Sequence, residues 1–356
     1  MPHPGPADRR AITSGLALTP RRLSQTRNVK RATLEREREL EDAIGALRPE
    51  ILAHCYRMLG SLCAAEDALQ DALTRAWSAR SRFEGRAAVR TWLYRIATNV
   101  CFDALSERGR RTLPECREPA RRHGIALAAG VGEPIWLEPI PDAMIGLDPE
   151  ARLAERQQVA LAFIAALQRL TPRQRAVLLL RDVIAWKASE VAELLGSTVD
   201  SIESALHRAR ALAAREAPLE PTGPQERALL RRYLAAWQAG DWRALAGMLS
   251  EDAVFAMPPI PTWFCGPARI LRFLEGAHVR AIFADGCQLA PVHANGGPAF
   301  LVRRAGHPHA VQLVGLRGGR VATIHNFNDP QVLRRFAGND TGPARDQFRG
   351  RAKSNR

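Results

Sequence analysis

The sequence predicts a multidomain protein in which two all-α blocks are followed by an α+β domain, and three observations carry that expectation. The chain has 356 residues, which at roughly 100–200 residues per domain calls for two or three domains. Apolar residues recur at helical spacing over two separate stretches, about 41–110 and 151–216. From 225 to 338 the pattern changes to short alternating runs broken by glycine turns, as strands require. Residues 111–150, rich in Pro, Gly and Arg, read as a linker, and Pro218, Pro221, Gly223 and Pro224 punctuate the chain again. The polar, basic ends, 1–40 and 339–356, read as a flexible leader and a tail.

Charge and composition narrow the function. Lys and Arg number 51 against 37 Asp and Glu, so the net charge is +14 and a polyanionic partner such as nucleic acid is expected. With 46% apolar and 25% charged residues the chain is neither wholly disordered nor fibrous. No apolar run approaches the roughly 18 residues that span a membrane. The densest, AVLLL at 176–180, stops at Arg181 and Asp182, so no membrane partner and a cytoplasmic location are expected. The cysteines at 55, 63, 101, 116, 265 and 287 have neither C-x-x-C nor zinc spacing. They read as small buried hydrophobes in a reducing compartment, with no metal site and no cofactor.

The first block reads as a succession of amphipathic helices. In 51–59, Ile51, Leu52, Cys55 and Leu59 share a face. In 64–77, Leu69, Ala72, Leu73 and Ala76 form the buried stripe, while Asp67, Gln70, Asp71 and Thr74 fall together on the opposite surface. In 81–105 the buried face is Leu93, Ile96, Ala97, Val100 and Ala104. Arg82, Phe83, Arg86, Arg90, Thr91, Trp92, Arg95, Thr98 and Asn99 interleave basic, polar and aromatic side chains there. Such a mixture suits single-stranded DNA, whose bases stack on rings while Arg neutralises phosphate. The run EDALQDALTRAW…RFEGRAAVRTWLYRIATNVCFDAL resembles region 2 of bacterial RNA polymerase sigma factors, of the extracytoplasmic-function type within the sigma-70 family. That resemblance implies that Asp67, Gln70 and Asp71 contact the polymerase core. It also implies that the nine residues from Arg82 to Asn99 lie at or near the melted −10 promoter strand.

The second block opens on a Thr-Pro helix start at 171–172. Ala192, Gly196, Val199 and Ile202 then supply a small residue at a helix crossing, a glycine turn and apolar anchors, the pattern of a helix-turn-helix. Its second helix, 198–213, is expected to expose Thr198, Asp200, Ser201, Ser204, His207, Arg208 and Arg210, with Ser197 just before it. Hydroxyls at a helix start and Arg further along suit phosphate and major-groove contacts. From LTPRQRAVLLLRDV to SALHRARA the block is similar to sigma region 4, the −35 reader. WLEPIPDAMI at 136–145 resembles a linker segment of the sigma-G-like and sigma-J-like subgroup, whose members carry an extra C-terminal domain.

In the last domain a helix with Leu230, Tyr233, Leu234 and Trp237, a Gly240-Asp241 turn and two further helices are expected. A strand through Val254 and Phe255 lies among them, and candidate strands follow at 288–294, 299–304, 309–316 and 320–327. The stretch, with MPPIPTWFCG as its most specific part, resembles the SnoaL-like, NTF2-like α+β cone. Phe255, Trp263, His293, His325 and Phe327 are candidates to line a pocket for a small-molecule ligand, with Asp252, His293 and His325 as acid–base candidates. Together these readings describe a non-enzymatic sigma factor whose partners are core RNA polymerase (β′ clamp and β flap) and promoter DNA, regulated by the C-terminal domain. The alternative is a bifunctional or degenerate enzyme whose cyclase- or isomerase-like C-terminal domain acts on a small apolar substrate.

Overall fold

The computed structural model describes residues 20–80, 83, 88–107, 111–116, 136–148, 153–213 and 223–337. Contacts divide the chain into a unit ending at Ala46 and a unit starting at Leu47. Helix α1 spans Pro20–Leu59. The segment expected as a flexible leader to residue 40 is therefore helical from Pro20 onward. Its stretch from 32 to 43 is dominated by Ala, Leu, Glu and Arg, residues of high intrinsic helix propensity.

From Leu47 the chain packs. Ile51, Leu52, Cys55, Tyr56, Met58 and Leu59 are buried on the end of α1. Helix α2, Leu62–Ala79, starts at Ser61, whose Oγ accepts the Ala64 N–H at 3.1 Å and satisfies one of the free donors at that end. It buries Leu69, Ala72 and Ala76 as expected, while Leu73 of the expected stripe is only half-buried, and packs against α3, Val89–Glu107, which buries Leu93, Ala97 and Val100. Ile96 and Ala104 are only half-buried. The described parts of the linker are packed rather than extended. Trp136, Leu137 and Ile140 are buried, Thr112 bridges Trp136, and the Tyr56 hydroxyl donates to the Glu138 carbonyl at 2.7 Å.

The second block comprises α4 (Leu153–Gln157), α5 (Leu161–Gln168), α6 (Pro172–Leu178), α7 (Ala188–Leu194) and α8 (Val199–Ala213). A capping box starts α6: the Gln174 N–H donates to Thr171 Oγ1 at 3.3 Å, and the Thr171 N–H to Gln174 Oε1 at 3.1 Å. The buried Arg175 guanidinium, 2% exposed, donates to the Met58 carbonyl at the end of α1 and to the Leu167 carbonyl, joining the two helical blocks.

The C-terminal domain begins with α9 (Pro224–Ala239) and α10 (Trp242–Met248), then β1 (Leu249–Met257), β2 (Ile260–Cys265), α11 (Pro267–Leu274) and α12 (Ala277–Ala284). It ends with β3 (Cys287–Ala294), β4 (Gly297–Arg304), β5 (His307–Arg317), β6 (Arg320–Phe327) and α13 (Pro330–Ala337). One sheet in the order β2-β1-β6-β5-β4-β3 holds all six strands, and β1–β6 is its parallel pair. Strand β2 and helices α12 and α13 were not expected from the sequence. One face of the sheet is filled by rings from strands and helices: Tyr233 stacks on Phe300 at 5.6 Å and Phe264 on Phe273 at 4.6 Å. Inside this core the Tyr233 hydroxyl donates to Gln312 Oε1 at 2.6 Å. Because strand side chains alternate, Ile324 enters that core while Thr323, His325 and Phe327 point to the other face, toward the linker.

Candidate nucleic-acid interface

The basic, aromatic face of α3 is only partly open. Phe83 and Trp92 pack ring to ring at 4.9 Å and leave a half-exposed aromatic platform. Arg90 is held by Glu50, to which its Nε donates at 2.7 Å, and it lies over the Tyr94 ring at 5.2 Å. Thr91 is half-buried and Asn99 exposed. Arg95 is exposed but paired at 2.9 Å with Glu193 of α7. Arg82 and Arg86 lie outside the described residues. Thr98 departs from expectation: it is fully buried, its Oγ1 bonded to His54 Nε2 at 2.9 Å. It shares an i−4/i+3 stripe with the buried Tyr94 and Cys101, which places it on the inner face of the helix. Burial, aided by Arg57, lowers the His54 pKa to about 3, so Thr98 meets a neutral imidazole.

Asp67, Gln70, Asp71 and Thr74 are all exposed along α2 and form one polar, acidic stripe. At its base lies a cleft of about 420 Å³ shared by Asp67, Gln70, Met144 and Arg335. There Arg335 of α13 chelates Glu66, with Nε donating at 3.0 and 2.9 Å.

In the helix-turn-helix, Gly196 sits at φ +56°, the left-handed geometry its turn requires, and Ala192, Ile202, Leu206 and Ala209 are buried at the crossing. Val199, expected as an anchor, is 44% exposed in the first turn of α8, before that buried stripe begins. Thr198 Oγ1 accepts the Ser201 N–H at 3.3 Å. Thr198, Asp200, Ser201, Ser204, His207 and Arg208 are exposed, and Ser197 is half-buried. Arg210 is exposed yet bound in a fork to Asp182 at 2.8 and 2.6 Å, so its charge is already answered within the domain.

The residues that tie these surfaces together were missed by the sequence reading. Asn295, 2% exposed at φ +52°, sits in the β3–β4 turn of the C-terminal domain. Its Nδ2 donates to the Tyr56 hydroxyl and to the Val159 carbonyl, each at 2.8 Å, and its Oδ1 accepts the Ile140 N–H at 3.1 Å. One side chain thus joins the first helical block, the linker and the second block. Beside it the Gly296 N–H donates to Asp142 Oδ1 at 2.8 Å. A Cβ on Gly296 would come within 2.5 Å of the Arg156 carbonyl oxygen, so only glycine fits. Burial pushes the Asp142 pKa up to about 7, against the Gly296 bond and Arg156, which lower it. The Asn-Gly-Gly run reads in sequence only as a hairpin turn. The signal available was the Trp, Leu and Ile content of 136–145, too apolar for a free linker.

The acid–base candidates do not converge. Asp252 is exposed and paired with Arg317. His293 is half-buried beside the β3–β4 hairpin, and His325 is bonded to Glu115 of the linker at 2.6 Å. Burial raises the Glu115 pKa, but the charge and hydrogen bond of His325 outweigh it and hold the carboxyl below its usual range. Phe255 packs on Phe273 in the ring-filled core, Phe327 is buried on the opposite face, and Trp263 is half-buried on β2. Of the five candidate pocket residues, His325 lines the large cavity of about 730 Å³ found between the sheet, the linker and α5.

Comparison with known proteins finds three matched profiles along the chain. Residues 43–111 match the profile of Sigma-70 region 2, 152–212 that of Sigma-70 region 4, and 230–335 that of the SnoaL-like domain. The ECF RNA polymerase sigma factor SigG of Mycobacterium tuberculosis is 40% identical over 302 residues, covering 81% of each chain. SigJ of the same organism is 27% identical over 329 residues, covering 87% of this chain and 97% of its own. The crystal structure of SigJ superposes with a TM-score of 0.54 at 23% identity, over 81% of this chain and 96% of that one, which shows a shared fold. Among the described residues no helix is long and apolar enough to cross a membrane. An exposed acidic stripe, an aromatic and basic helix, a helix-turn-helix and a matched relative of this identity leave one family: the chain belongs to the ECF RNA polymerase sigma factors, promoter-recognising initiation factors rather than enzymes.

Proposed function

We propose that this sigma factor rests in a closed arrangement held by its C-terminal domain, and that promoter reading requires the clasp at Asn295 to release. The observation that carries this reading is the set of three Asn295 side-chain bonds, which reach both helical blocks and the linker at once. The −35 and −10 elements are about 25 base pairs apart, on the order of 85 Å at ~3.4 Å per pair. Region 2 and region 4 meet here through the Arg95–Glu193 ion pair at 2.9 Å, so they must part to read both elements on one duplex.

In the open state, Asp67, Gln70 and Asp71 meet the β′ clamp, and region 4 meets the β flap. Arg82, Phe83, Arg86, Arg90, Thr91, Trp92, Arg95 and Asn99 face the melted −10 strand, and Thr98 supports that helix from inside. Ser197, Thr198, Asp200, Ser201, Ser204, His207 and Arg208 face the −35 groove, while Arg210 braces α8 through Asp182. The test is in vitro transcription with core polymerase, comparing the full chain with a chain ending at residue 216. Promoter-specific transcripts from the full chain that rise several-fold on truncation support the closed resting state. Equal output from both chains refutes it.

A further inference from the structure

We infer that Glu66 is a further polymerase-facing residue of α2, and that Arg335 of α13 holds in the closed chain the place that a basic side chain of the core enzyme takes on binding. Helix α13 is then a tethered competitor for the surface the polymerase uses. Glu66 precedes Gln70 by four residues and adjoins Asp67, so it borders the exposed stripe of Asp67, Gln70, Asp71 and Thr74. Its carboxylate is occupied. The Arg335 guanidinium meets it through Nε at 3.0 and 2.9 Å and through Nη2 at 2.8 Å. A planar guanidinium grips a carboxylate in this forked way, and a second cation cannot take the same grip while α13 stays.

The sequence of α13 presents this side chain to α2. Val332, Leu333 and Phe336 are buried where the helix packs on β5, while Gln331 and Arg335, one turn apart, are exposed and line the cleft of about 420 Å³ together with Asp67 and Gln70. Arg48 of α1 lines the same cleft, but the forked partner of Glu66 is Arg335. A protein laid along the stripe as far as Glu66 must therefore displace α13, and the group it brings there is an Arg or Lys. The Arg335–Glu66 pair is solvent-accessible, which makes it a weak latch that exchange can break. When binding needs α13 to move, the apparent affinity scales with the fraction of chains in which it has moved, so weakening the latch raises that affinity. The inference rests on the stripe being the core-facing surface, as proposed above.

The test is a titration of the full-length chain with fluorescently labelled core polymerase, without promoter DNA. Arg335→Ala should bind the core enzyme about three- to fivefold more tightly, the upper range of what an exposed ion pair supplies. Arg334→Ala removes an equal charge at an exposed neighbouring position outside the cleft and should bind as the native chain does. Adding Glu66→Gln to Arg335→Ala should then weaken binding at least about threefold, because the uncovered carboxylate is what the polymerase cation meets. A gain in affinity cannot come from a damaged fold, so a merely structural Arg335 would not produce it. Unchanged or weaker binding by Arg335→Ala overturns the competition. Equal binding with and without Glu66→Gln in that background overturns the assignment of Glu66. Asp67→Lys with Asp71→Lys, titrated alongside, separates the two levels. Lack of effect there faults the stripe as the core-facing surface and the inference with it, whereas a loss there beside an unaltered Arg335→Ala faults the inference alone.

Discussion

Replacing Asn295 by glycine should loosen the closed arrangement without disturbing the domains it joins. Glycine is the informative substitution because residue 295 has φ +52°, which glycine adopts freely and alanine would not. The change leaves the backbone bond from the residue 295 N–H to the Ile140 carbonyl (3.1 Å) in place and removes the three side-chain bonds. Tyr56 still donates to the Glu138 carbonyl, so it loses little. The Ile140 N–H and the Val159 carbonyl lose their side-chain partner at positions 0% and 1% exposed. An unpaired buried polar group costs about 1–3 kcal/mol, and two at the low end give about 2 kcal/mol. At ~1.4 kcal/mol per factor of ten, opening becomes about thirtyfold more frequent. Native-state hydrogen exchange at Gly296 reads this directly, because its N–H donates to Asp142 only while the clasp is shut, a bond the substitution leaves in place. The Gly296 amide should exchange about thirtyfold faster in Asn295→Gly, and amides in the centre of α8 should keep their protection. Unchanged exchange at Gly296 would refute the reasoning.

Reversing Asp67 and Asp71 to Lys should weaken core-polymerase binding at least tenfold with the thermal unfolding temperature unchanged, since both side chains are exposed; equal affinity in a titration would make the stripe a mere solvated face. Arg208→Ala should lower the affinity for −35 DNA and reduce the salt slope by about one. Arg210→Ala should instead leave the slope alone and cost up to about 1 kcal/mol of stability, as expected of an exposed ion pair. Thr98→Val leaves His54 Nε2 unpaired in the core, so region 2 should lose about 1–3 kcal/mol with its −10 sequence preference intact. The clasp should also respond to pH: with Asp142 raised from about 4 to about 7, the closed state holds a proton that the open state releases. Its stabilisation is full below pH ~4, falls by at most about 1.4 kcal/mol per unit up to pH ~7, and is flat above. His54, lowered to about 3, has the opposite sign, its stability being lost as pH falls below ~6.5. The measurement is therefore the difference between the native chain and Asp142→Asn in Ile140 exchange, and a pH-independent difference would exclude Asp142 as its source.

What the sequence by itself determined was local. The stripe Leu69-Ala72-Ala76 and its acidic counterpart, the Gly196 turn with Ala192 and Ile202, and the four last strands follow from spacing and turn chemistry within a dozen residues. Such patterns survive because a helix or strand repeats its geometry whatever surrounds it. Strand β2 was hidden by prolines at 258, 259 and 261, and α13 is a single short amphipathic helix that opens on Pro330 after Asn328-Asp329. The sequence reading grouped Phe255 and Phe327 around one pocket, whereas the strand register sets them on opposite faces of the sheet, one filled by rings and the other covered by the linker. Tertiary structure alone decided which polar groups remain available. Arg95 is engaged by a residue 98 positions away, Arg210 by one 28 away, and Thr98 by His54 across 44. Asn295 is the extreme case, bonded to Tyr56 across 239 residues. Its importance comes from where three segments meet, and the pairing of a buried polar group is a property of that meeting point, which no local periodicity encodes.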